Sequence, residues 1–93
     1  MKNLKLQKIR KKLDKLDDKL INLIKIRKNL VDEVIKQKEF KNEIIDKKRI
    51  KVILNRIKKK SINKGIDPKI TNRIWKNMIW SFIDYEMKVF KKK

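Results

Sequence analysis

The chain has 93 residues, enough for one domain and too few for two, with 30 Lys plus Arg against 11 Asp plus Glu and a formal charge of +19. It contains neither cysteine nor histidine, which excludes disulfides, Cys/His metal sites, thiol or Ser-His nucleophiles and imidazole acid–base chemistry. Any chemistry therefore falls to Arg, Lys, carboxylates, Ser/Thr and backbone groups.

No apolar run approaches the roughly 18 residues of a membrane span. The N-terminal MKNLKLQKIRKK lacks the apolar core of a signal peptide, so a cytoplasmic location is expected. The positive charge would attract any polyanion. However, the excess is almost all lysine, spread along the whole chain and accompanied by abundant Ile and Asn, residues that share A/T-rich codons. Compositional drift explains that surface better than a nucleic-acid patch does. The aromatics also cluster toward the C-terminus instead of interleaving with basic residues, as base stacking requires.

In chain order, positions 6, 9, 13, 16, 20, 23, 27, 30 and 34 are Leu, Ile, Leu, Leu, Leu, Leu, Arg, Leu and Val. This three–four repeat predicts one long first helix packed along a seam and ending near Phe40. At about 1.5 Å per residue such a helix spans some 54 Å. A compact domain of this length has a radius of gyration of about 12 Å. Much of the helix would then hold its leucines in water, so a homodimer with long helices running side by side is expected. An extended coiled coil is the plainer alternative, but it would not need the third helix described next.

KNEIID, residues 41–46, reads as a connection, with Asp46 as N-cap of a second helix from about Lys47 to Asn63. Its apolar face is Ile50, Ile53, Leu54 and Ile57. Gly65 suits a C-terminal cap, and Asp67-Pro68 gives an N-cap followed by proline at the first helical position. A third helix then runs to about Phe90, with an apolar stripe of Ile74, Trp75, Met78, Ile79, Phe82 and Ile83. The fold class is all-α, three helices per chain in a compact dimer, with residues 1–93 forming one domain.

Arginine occurs five times, at 10, 27, 49, 56 and 73. In a chain that otherwise takes lysine, it suggests a need for a planar fork that grips carboxylate or phosphate at two points. Arg27 stands in the apolar seam, where a guanidinium needs either an internal acid or a bound anion. A salt bridge to another helix or a register-setting polar layer would serve as well as a ligand. Lys38, eleven residues on, falls about 20° around the helix and some 16 Å along it. Arg10 lies roughly 25 Å from Arg27 along the axis. Both can serve one small molecule only if Arg10 comes from a second subunit; otherwise Arg10 pairs on the surface with Asp14. Glu86 shares a face of the third helix with Trp75, Ile79, Phe82 and Val89. A carboxyl on such a stripe either stays protonated, becoming a hydrogen-bond donor, or pairs with a lysine of another helix.

Taken together, these residues resemble the all-helical chorismate mutases. The match consists of Arg10, LDKLD at 13–17, Arg27 followed by LVDEV, Lys38, Asp46 with Arg49, GIDP at 65–68, and Glu86 where the family carries a Gln or Glu. It covers essentially the whole chain. The resemblance implies an intertwined helical homodimer that converts chorismate to prephenate for phenylalanine and tyrosine synthesis, with no cofactor and no metal. It implies that Arg10 of the partner, Arg27 and Arg49 hold the substrate carboxylates, with Asp46 also in the site. Lys38 and Glu86 would be the catalytic donors to the ether oxygen, and Val34 and Ile79 the apolar walls. Two positions depart from the pattern. Ile50 stands where a Glu often contacts the ring hydroxyl, and Phe82 where a small polar residue often assists a carboxylate. An isochorismate-pyruvate lyase of the same fold is therefore the alternative within the fold, and a basic nucleic-acid-binding module the alternative outside it. No fused dehydratase or dehydrogenase segment is visible.

Overall fold

The computed structural model describes residues 3–91. These residues form three α-helices, α1 (Leu4–Gln37), α2 (Lys47–Asn63) and α3 (Pro68–Val89), with a short 3-10 turn at Lys41–Glu43 and no strand. Among the described residues no helix is long and apolar enough to cross a membrane. Two compact units meet between Val31 and Asp32, inside α1.

The first unit is helix alone. Its seam residues Leu13, Leu16, Leu20 and Leu23 are all exposed, as are Leu30 and Val34 further along α1. The buried residue of α1 is instead Ile35, one position past the predicted seam. The seam is thus helical, as its periodicity requires, and its leucines are exposed.

The second unit holds the core. Ile44, Ile79 and Ile83 are buried together, with Ile50, Ile53, Leu54, Met87 and Phe90 packed around them. α2 and α3 pack against each other, and the expected apolar face of α2 is the one used, with Ile57 buried. On α3 the buried line runs through Ile79, Ile83 and Glu86. Ile74 is an exception to the expected stripe, being 52 % exposed. It lies about 100° around the helix from its neighbour Trp75, at the edge of the covered face.

Three local signals set the boundaries. The Asp46 carboxylate accepts from the Arg49 backbone N–H at 2.9 Å and caps α2. At the other end Gly65 takes φ +72°. The Ile66 N–H reaches Ser61 O at 2.9 Å and the Gly65 N–H reaches Ile62 O at 3.1 Å, the paired bonds of a Schellman motif. The Asp67 carboxylate then accepts from the Lys69 N–H at 2.9 Å, with Pro68 at the first helical position.

The end of α1 departs from expectation. The helix stops at Gln37 rather than near Phe40. The Glu43 carboxylate accepts from the backbone N–H groups of both Glu39 and Phe40, each at 2.7 Å. Those amides therefore turn toward Glu43, and the chain leaves the helical path. The stretch expected to be a plain connection also supplies Ile44, 2 % exposed and the most deeply buried member of the core. Covering an isoleucine contributes about 2 kcal/mol relative to leaving it in water, so this connection is part of the fold's foundation.

Candidate functional site

Lys38 is the first residue beyond α1. Its direction is accordingly not set by helical register, which corrects the reading that placed it on the same helix as Arg27. Its backbone N–H bonds to Ile35 O at 3.1 Å, and its side chain turns toward α3. There Lys38 Nζ donates to Glu86 Oε1 at 3.2 Å. The side chains are only 19 % and 9 % exposed, so the pair is screened far less than a surface ion pair. Of the two arrangements open to Glu86 in the sequence, the structure contains the pair with a lysine, one that lies just past α1.

Glu86 reaches this position because α3 carries it on the same buried line as Ile79 and Ile83. Phe82, one turn earlier, is half-buried, and Val89, three residues later, is half-buried too. Ile79 is 6 % exposed and sits in the core with Ile44 and Ile83. Val34, on the last turns of α1, is 47 % exposed.

An open cleft of about 510 Å³ borders Lys38 and is lined further by Asn42, Glu43, Ile45, Asp46, Lys47 and Lys48. The cleft thus joins Lys38 and Asp46, two of the expected site residues, at the N-terminal end of α2. Three lysines against two carboxylates leave its lining positive, and a helix N-terminus adds to the field that favours an anion. The Asp46 carboxylate, however, already accepts the Arg49 N–H as a cap. Arg49 itself is exposed. Ile50 is half-buried and packs on the core, so no polar group from that position reaches outward.

Arg10 and Arg27 belong to the first unit. Arg10 is exposed, whereas Arg27 is half-buried, the one residue between Asn3 and Leu30 that is not exposed. Arg27 also interacts with another group of the chain.

Two polar contacts in the second unit involve Tyr85, Ser61 and Thr71, which the sequence did not single out. Tyr85 Oη donates to Asp32 Oδ1 at 2.5 Å. Ser61 Oγ donates to Ile57 O at 2.7 Å and lies 2.6 Å from Thr71 Oγ1, joining α2 to α3 beside the Gly65 turn. Each links residues that are far apart in sequence or hidden among ordinary helix-surface types, so periodicity carries no sign of them.

Residues 9–87 match the family model described as chorismate mutase type II. No curated protein and no solved structure matches the chain. The matched stretch is most of the sequence and takes in all three helices, and the chain belongs to the chorismate mutase type II family.

Proposed function

We propose that this member of the family rearranges chorismate to prephenate, as a cytoplasmic homodimer serving phenylalanine and tyrosine synthesis. The observation that carries the reading is the bond from Lys38 Nζ to Glu86 Oε1 at 3.2 Å. It sets a cation and a carboxyl, 48 residues apart in sequence, side by side in a largely covered place. Those are the two residue types, at the two positions, that the family resemblance assigns to the ether oxygen of the substrate.

The rearrangement is intramolecular and asks for no proton transfer, metal or covalent intermediate. What accelerates it is conformational restraint and stabilisation of charge. Arg27, Arg49 and the Arg10 of a second subunit hold the two carboxylates, so that the enolpyruvyl side chain folds over the ring in the reactive geometry. As the C–O bond breaks, negative charge grows on the ether oxygen. Lys38 donates a hydrogen bond to it and Glu86 is the second polar group set beside it, preorganised contacts of a kind worth about 3 to 4 kcal/mol each. Val34 and Ile79 act as apolar walls, and Asp46 borders the ligand while capping α2. The overall positive charge helps to draw in a dianion.

The exposed α1 seam supports the dimer. Leu13, Leu16, Leu20 and Leu23 are each about half exposed or more in the single chain, and a second α1 laid along them removes that apolar surface from water. Arg10 then has a second subunit's site to serve.

The test is an absorbance assay of chorismate loss with purified protein, followed by product analysis with both chorismate and isochorismate. Prephenate from chorismate, with Arg27→Ala losing at least about 99 % of turnover while helix content and oligomeric state persist, is the expected result. Pyruvate release from isochorismate alone would make the chain a lyase. An Arg27→Ala variant that loses helix content or oligomeric state together with its turnover would make Arg27 a structural polar layer.

A further inference from the structure

The end of α1 and the end of α3 are joined by a second polar contact, one that the proposed chemistry does not use. Tyr85 Oη donates to Asp32 Oδ1, and both residues are half-buried. Asp32 precedes Lys38 by six residues and Tyr85 immediately precedes Glu86. The Asp32–Tyr85 and Lys38–Glu86 bonds therefore tie the same two stretches of chain.

The two bonds differ in stiffness. Lys38 lies past the end of α1, held there by a bond to the carbonyl three residues back, and its side chain is a flexible four-carbon stem. Tyr85 is a rigid ring on two torsions, and it grips a short carboxylate that is still inside α1. A contact of the second kind resists sliding and rotation of the last α1 turns against α3, whereas a lysine stem adapts to such movements. We propose that Asp32 and Tyr85 are a positioning pair, fixing the register of residues 32–37 against α3 so that Lys38 Nζ is held at Glu86 and aimed at the reacting oxygen. The catalytic part of this inference rests on the chorismate reading above; the positional part does not.

Three variants test it: Tyr85→Phe, which removes only the hydroxyl; Asp32→Asn, which keeps an oxygen acceptor; and Asp32→Ala, which removes it. Small misplacements of a catalytic group cost one to two orders of magnitude in rate, so Tyr85→Phe and Asp32→Ala should each lose about tenfold in kcat with KM changed by less than about twofold. Asp32→Asn should stay near wild type. Amide hydrogen exchange at residues 38–40 should quicken in the two deficient variants and not in Asp32→Asn. Unchanged kcat and unchanged exchange in Tyr85→Phe overturn the proposal. So does an Asp32→Asn variant as impaired as Asp32→Ala, because the carboxylate's charge would then matter rather than the bond. If the wild-type protein does not consume chorismate, the functional reading falls and the exchange measurement alone decides the positioning pair.

Discussion

Lys38 Nζ and Glu86 Oε1 stand 3.2 Å apart, one just beyond the last turn of α1 and the other on the buried line of α3. In this arrangement the carboxylate accepts. To help a breaking ether bond, this position must instead supply a donor. Glu86→Gln separates the two roles, because an amide can both accept from Lys38 and donate. Glu86→Gln should therefore keep kcat/KM within about threefold of wild type or raise it, whereas Glu86→Ala should lose about a hundredfold. An equal loss in the two variants would remove Glu86 from the donor role.

A second subunit's Arg10 can be tested by complementation. Arg10→Ala and Arg27→Ala should each be nearly inactive alone. Mixed, unfolded and refolded together, they form heterodimers in which one of the two sites carries both arginines. Random pairing makes half of the dimers mixed, so about a quarter of wild-type activity should return. No recovery, with mixed dimers present by native mass spectrometry, would place Arg10 and Arg27 in the same subunit's site or in none.

Ile44 is the most deeply covered core residue, at 2 % exposure. Ile44→Ala removes methylenes that Ile79 and Ile83 enclose and should cost about 2 to 4 kcal/mol in denaturant unfolding. Exposed Val52, on the opposite side of α2, should tolerate the same truncation with a change of about 0.5 kcal/mol or less.

Gly65 takes φ +72°, and a Cβ built there meets nothing within 4 Å. Gly65→Ala therefore carries no steric clash and isolates the backbone cost of the left-handed region, about 1 kcal/mol. Thermal unfolding should register a drop of a few degrees, with the α2–α3 turn intact by circular dichroism. A neutral or stabilising outcome would mean that the turn relaxes out of the left-handed conformation.

Much of the fold was legible in the sequence because the signals for it are local. Asp46, Gly65 and Asp67-Pro68 act within four residues of themselves, and α2 runs from Lys47 to Asn63 as those punctuation marks require. The apolar face of α2 and most of that of α3 follow from a period that any amphipathic helix must obey. Family membership was legible as well: the resemblance read from the order of Arg10, Arg27, Lys38, Asp46, Arg49, GIDP and Glu86 along the chain agrees with the family match over residues 9–87.

Tertiary structure alone decided where α1 ends, what Glu86 touches and which isoleucine anchors the core. The end of α1 depends on Glu43 reaching back to two amides, a competition between side chain and helix that periodicity does not record. The partner of Glu86 was open among many lysines, and proximity in space selected Lys38. Ile44 looked like part of a polar connection, yet it lies against α3 because the chain turns there. Apolar period and capping chemistry are properties of neighbours along the chain, so the sequence determines them directly. Pairings across dozens of residues depend on how whole helices come together, and only the folded chain settles those.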